Sequence, residues 1–174
     1  MFLLTVNQIE NWMDMDLVAL EEIRQVKYRY LRCVDLKLWD EMADVFTAEA
    51  TADYGTHAVR GSLSLRGRDA ILAYLRENLG PSIITVHRCG QPEIAVDGDE
   101  ATGTWSFEDT VMAMDFRVVI KGAAFYEDTY RRGEDGRWRI SHIGYTRIYE
   151  TMNSLDDTPS LRFIANKWAD APAG

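Results

Sequence analysis

Residues 100–112, EATGTWSFEDTVM, alternate apolar and polar with a single exception. Ala101, Gly103, Trp105, Phe107 and Val111 fall on one side, and Thr102, Thr104, Ser106, Glu108 and Thr110 on the other. Period two means a half-buried strand, so this stretch needs a sheet with a core against one face. The exception is Asp109, which sits on the apolar side. An ionised carboxylate there costs several kcal/mol unless something compensates it. Either Asp109 is a satisfied structural group, or the apolar face lines a pocket that uses the acid.

The rest of the back half supports the sheet. Strands are expected at about 83–89, 92–97, 100–113, 118–132 and 137–149. Asp97-Gly98-Asp99 and Glu134-Asp135-Gly136 are explicit turns, and Met114-Asp115-Phe116 is a weaker one. Long strands without intervening helices give an antiparallel sheet. In the last strand Trp138 and Ile140 have one parity, while Ile143, Tyr145, Arg147 and Tyr149 have the other. Both sets look inward, which predicts a β-bulge near 141–143.

The front half reads helical. Leu17, Leu20, Ile23, Lys27, Tyr30, Leu31 and Val34 recur at three- and four-residue steps behind Asp16 as N-cap. A short second helix presents Trp39, Met42, Ala43 and Phe46, with Asp35 at the junction. Residues 50–67 suggest a short strand or hairpin with a Gly-rich loop, and a third helix runs from about Arg68 to Leu79, stopped by Gly80-Pro81. Helices first and sheet second make an α+β fold. A curved antiparallel sheet wrapped around the N-terminal helices would be a cone with an internal cavity. One domain covers residues 1–174, with a core of about 16–150 and a tail (151–174) that packs on an edge or a neighbouring subunit.

The net charge is −9, without a Lys/Arg-rich run, which argues against nucleic acid or an anionic membrane surface as partner. No stretch approaches the roughly 18 apolar residues a membrane helix needs. Cys33 and Cys89 imply no disulfide framework. A cytoplasmic protein acting on a small neutral or apolar ligand is the expectation.

Three segments carry a resemblance: KYRYLRCVDLKLWDEM at 27–42, VHRCGQPEIAVDGDEATGTWSFED at 86–109, and GAAFYEDTYRRGEDGRWRISHIGYTRIYE at 122–150. The chain resembles the SnoaL-like branch of the nuclear transport factor 2-like, cystatin-like superfamily, which includes scytalone dehydratase, ketosteroid isomerase and limonene epoxide hydrolase. Within it, the resemblance is closest to the bacterial bile acid 7α-dehydratases. The similarity implies an α+β cone, a homotrimer (dimers are common in the wider superfamily), no metal or organic cofactor, and a site of one Tyr, two Asp, one His and one Arg. The matching positions are Tyr30, Asp35, His87, Asp109 and Arg147. Residues 50–67 do not match well.

Each of the five also has a plainer reading, which for Arg147 is a solvated strand charge. His87 shares a face with Thr85 and Cys89, but pattern alone leaves open whether that face is inward; it could be a hydrogen-bonded core histidine or a proton-transfer group. Asp35 could cap a helix, or orient an imidazole. Asp109 could form a structural salt bridge with Arg147, or serve as a second acid/base. Tyr30 could be core, or point its hydroxyl at a developing oxyanion. Tyr54, Trp105, Phe107, Met112, Phe125 and Tyr145 are core material by default and candidate pocket walls, Trp105 and Phe107 above all because they share Asp109's face. His57 and His142 lack motif support and read as surface or wall residues.

The expected activity is dehydration of a hydroxylated cyclic, steroid- or polyketide-like ketone. The alternatives are a ketosteroid isomerase-like proton shift and a non-catalytic ligand-binding or assembly module.

Overall fold

The computed structural model describes residues 16–56 and 61–168. His57, the first 15 residues and the last six of the tail lie outside the described residues. Helix α1 spans Leu17–Leu36. The Asp16 carboxylate accepts from the Ala19 amide at 2.9 Å, satisfying one of the unpaired N–H groups of the first turn. Its buried stripe is Ala19, Ile23, Val26, Lys27, Tyr30, Leu31, Cys33 and Val34. Lys37 closes it in the left-handed conformation, φ 57°. Helix α2, Trp39–Ala43, buries Met42. It ends before Phe46, which opens strand β1 instead of completing the helical face expected of it. Phe46 has no exposed surface, so strand pairing and burial outweigh its local helical spacing.

Strand β1 (Phe46–Thr56) and strand β2 (Gly61–Arg66) form a hairpin, followed by helix α3 (Arg68–Asn78). Helix α3 buries Ile71 and Leu75. Four long strands follow: β3 (Ile83–Asp97), β4 (Glu100–Ala113), β5 (Val118–Arg132) and β6 (Trp138–Ser154). The six strands form one open sheet in the order β2-β1-β6-β5-β4-β3. The expected strands 83–89 and 92–97 are one strand. Its register shifts between Gly90 and Glu93, with Gln91 at φ 43°. Strand β6 runs five residues past the expected end at 149 and takes in the start of the tail.

The sheet is not wholly antiparallel. β1 pairs parallel with β6, with Thr51 opposite His142 and Asp53 opposite Gly144. The whole chain from β2 to β5 connects these two, which is the long crossover a parallel pair requires. The bulge foreseen near 141–143 is present: Thr129 faces His142 and Tyr130 faces Ile140, leaving Ser141 as the extra residue. A second bulge was not foreseen. Ala123 faces Tyr149 and Ala124 faces Arg147, so Ile148 is also extra.

The helices cover the concave face of the sheet around a core that includes Trp105, Tyr130, Phe46, Ile23, Met42, Ile71, Ile140 and Ile143, all fully buried. No helix among the described residues is long and apolar enough to cross a membrane.

Candidate active site

Cross-strand partners share a face, so register decides what meets what. Across β3, β4, β5 and β6 one row reads His87, Asp109, Gly122, Glu150, and a second reads Cys89, Phe107, Ala124, Arg147. Both rows face the helices. Within 83–89, Thr85, His87 and Cys89 therefore point inward, while Val86 is exposed.

Asp35, in the last turn of α1, docks onto β3. Its Oδ2 accepts from the His87 backbone amide at 2.9 Å. Its Oδ1 is 2.7 Å from His87 Nδ1 and accepts from the Thr85 hydroxyl at 2.9 Å. With Asp35 ionised, His87 Nδ1–H is the donor, and the lone pair is left on Nε2. The pair is part-buried, with side-chain exposures of 13% for His87 and 21% for Asp35. Asp35 thus does bond a backbone amide, but in the facing strand and together with the imidazole, not as a helix cap.

Asp109 is compensated. Arg147 Nη1 donates to its Oδ1 at 2.6 Å and Nη2 to its Oδ2 at 2.9 Å, a fork-to-carboxylate pair. Burial disfavours the guanidinium charge, but the hydrogen bonds and charge of Asp109 more than offset this and raise the Arg147 pKa. The guanidinium also lies over the Phe107 and Tyr145 rings, 5.6 and 5.0 Å from their centroids.

Aromatic rings connect these groups to Tyr30. His87 and Phe107 are 6.4 Å apart, Phe107 stacks on Tyr126 at 4.0 Å, and Tyr126 meets Tyr30 edge-on at 6.3 Å. Tyr30 is thus two rings removed from the imidazole, and its hydroxyl lies 3.5 Å from that of Tyr54. Burial pushes both phenols up, so each stays a neutral donor. Tyr145 packs on Phe107 and Tyr54, and burial pushes it up to about 12.

Two expected wall residues do not line this side. Phe125 is exposed on the outer face between Ser106 and Thr146, because on β5 the inward parity belongs to Ala124 and Tyr126. Met112 likewise pairs with Ile84 and Val119 on the outer face, one residue out of step with Asp109. Trp105 shares Asp109's face but is fully buried, with its indole N–H donated to the Tyr130 hydroxyl at 3.0 Å, so it packs beneath the site. His142 sits at the β1–β6 seam, its Nδ1 2.7 Å from the Thr51 hydroxyl. A groove of about 690 Å³ opens between the first half of α1 and the β5–β6 turn, and none of the five expected residues lines it.

Sequence reading missed a buried charge pair. Lys27 Nζ donates to Asp128 Oδ2 at 2.7 Å with both side chains fully buried, and it sits 3.3 Å from the centroid of the Tyr126 ring. The Tyr130 hydroxyl also donates to Asp128 Oδ2, at 2.7 Å. Burial lowers the Lys27 pKa and raises that of Asp128, each opposed by the partner's charge. The signal was available: Lys27 lies on an apolar helical stripe, and Asp128 alternates with Ala124, Tyr126 and Tyr130. Among the described residues, no group of three or more His, Cys, Asp or Glu is placed to hold a metal ion.

The model of the SnoaL-like domain matches residues 15–144. An uncharacterized protein of Mycobacterium tuberculosis is 31% identical over 133 residues, covering 75% of this chain and 86% of its own length, and one of Mycobacterium bovis matches equally. Among solved structures, a scytalone dehydratase candidate of Novosphingobium aromaticivorans superposes with a TM-score of 0.68 at 20% identity, covering 80% of this chain and 90% of that one. The type 3 hexachlorocyclohexane dehydrochlorinase LinA of Novosphingobium barchaimii gives a TM-score of 0.70 at 18% identity, with 86% and 96% covered. The ActVI-ORFA protein of Streptomyces coelicolor gives 0.60 at 16%, with 75% and 97% covered. At these identities the structures speak for the fold alone, the six-stranded cone with its helices inside. The family match spans more than half of the sequence, and the chain belongs to the SnoaL-like domain family.

Proposed function

We propose that the protein is a cofactor-independent dehydratase that removes water from a hydroxylated cyclic, steroid- or polyketide-like ketone. The observation that carries this reading is the inward-facing row in which an Asp35-oriented His87 stands beside Asp109, itself forked by Arg147. Two structural neighbours, a scytalone dehydratase candidate and a dehydrochlorinase, are named for eliminations, which favours the same class.

In this reading His87 Nε2 removes the acidic proton next to the carbonyl and returns it to the departing hydroxyl. Asp35 holds the tautomer that leaves Nε2 basic and stabilises the imidazolium once formed. Asp109, fixed by Arg147, receives the substrate hydroxyl. Tyr30, paired with Tyr54, is the donor available to charge building on the carbonyl oxygen. Phe107, Tyr126 and Tyr145 exclude water and strengthen each of these interactions. Exposed apolar residues on the outer sheet face, Val86, Phe125 and Tyr149, support assembly into a homo-oligomer.

Replacing His87 with Ala tests the proposal. Turnover of a β-hydroxy ketone of fused rings should fall about 10²- to 10⁴-fold, read as loss of a product lighter by one water. A product of unchanged mass would instead mark a proton shift. Unchanged turnover in the variant would end the acid–base reading.

A further inference from the structure

We propose that Glu150 is a positioning and specificity residue: with Asp109 it holds Arg147 between two carboxylates, so the site takes an uncharged carbonyl compound and turns away carboxylates. The inference rests on the dehydratase reading for its chemistry, but its geometry is independent of it.

In a regular strand Arg147 and Glu150, three residues apart, would face opposite sides of the sheet. The extra residue Ile148 changes this. It stands out, 66% exposed, and brings Arg147 and Glu150 to the same inner face. Arg147 Nε then lies 3.3 Å from Glu150 Oε2, a charge contact without a hydrogen bond, while the two Nη atoms fork Asp109. Both side chains are only 9% exposed.

The seat for the guanidinium is an absence. Gly122 lies between Asp109 and Glu150 in the cross-strand row. A Cβ there would stand 2.5 Å from Arg147 Nη1 and 3.2 Å from its Cζ. Arg147 therefore reaches Asp109 through the space that any other residue at 122 would fill. The row reads imidazole, carboxylate, inserted guanidinium, carboxylate. A guanidinium forked by Asp109 and charge-paired with Glu150 is held and electrostatically compensated, although its Nε makes no hydrogen bond, and two acids beside it repel a ligand carboxylate. What the clamp supplies is a fixed orientation for Asp109.

The test compares two probes on the intact protein: a neutral hydroxydecalone and the decalin carboxylate of matching frame, each measured for binding by calorimetry. Wild type should bind the ketone and not the carboxylate. Glu150→Gln should gain at least about tenfold in affinity for the carboxylate, a change worth about 1.4 kcal/mol. Glu150→Asp, which keeps the charge, should not. The gain must vanish when Arg147→Met is added, because it flows through the released guanidinium and not through removal of a charge alone. With the ketone as substrate, Glu150→Gln should lower kcat more than it raises KM. Wild-type binding of the carboxylate as tightly as the ketone, or a gain that survives in the Arg147→Met background, would overturn the proposal. The binding arm needs no turnover, so an inactive wild type would sink the dehydratase reading while leaving this inference to be judged by itself.

Discussion

Among the described residues two deeply buried ion pairs are built differently, one closed off from solvent against the Tyr126 ring and one beside the stacked Phe107 ring at a more open end. At the closed end Lys27 and Asp128 have no exposure at all, and their surroundings are Tyr130 and the Tyr126 ring. At the open end Arg147 and Asp109 keep 9% and 3% of their side-chain surface and adjoin the half-open His87–Asp35 dyad. A lysine is a point charge on a flexible stem, and one hydrogen bond satisfies it poorly; Asp128 Oδ1 is left without a hydrogen-bond partner. Arginine offers a planar fork, and both of its Nη atoms are used, although its Nε is likewise without a hydrogen-bond partner. Burial presses the first pair toward neutrality, while the carboxylate holds the second in its charged form. The first pair therefore fixes where α1 sits on β5, and the second fixes a carboxylate's direction next to the part-buried His87–Asp35 dyad.

The comparison breaks most visibly at Lys27. Lys27→Met leaves Asp128 buried and unpaired, and unfolding free energy should drop by about 3–5 kcal/mol. Adding Asp128→Leu should recover most of that loss. If chemical denaturation shows the double variant no better than the single, the closed-end pair does more than seat a helix.

Asp109→Asn is the matching cut at the open end. It keeps shape and one acceptor oxygen, and water can reach the neighbourhood, so the stability cost should be smaller, about 1–3 kcal/mol. Turnover should fall about 10²-fold or more. Intact activity with a Lys27-sized stability loss would make Asp109 a scaffold residue like Asp128.

The smallest effect belongs to an exposed pair that serves as control. In the β5–β6 turn, hydrogen bonds from Arg139 and from the Arg137 amide hold Asp135 well below its ordinary value of 3.8. The unfolded chain then takes up this proton at higher pH than the folded one. The contribution is present in full above about pH 4 and fades as pH falls through the folded value. Asp135→Asn should lower the neutral region of a thermal-melt profile slightly and leave the strongly acid end, where the carboxyl is protonated, unchanged. A loss at pH 7 as large as that of Asp109→Asn would place Asp135 among the residues that hold the sheet.

How far the sequence could be read follows from what patterns report. Alternation in 100–112 told which side of β4 faces the core, and that Asp109 stands there against the rule. Helical spacing placed α1 with its buried stripe, and a change of parity announced the bulge at Ser141. Resemblance brought forward His87, Asp35 and Arg147, and the register draws those three into contact with one another or with Asp109. Phe125 and Met112 point outward because their parity on β5 and β4 is opposite to that of Tyr126 and Asp109.

The sequence by itself determined the faces: each side chain's period is a local property, written within a few residues. Only the tertiary structure decided the partners. Lys27 finds Asp128 from 101 residues away, β1 runs parallel to β6, and one extra residue at 148 turns Glu150 toward a guanidinium seated over Gly122. Those outcomes depend on which strands align and in what register, and burial of the whole core settles that at once, with no trace in any single segment.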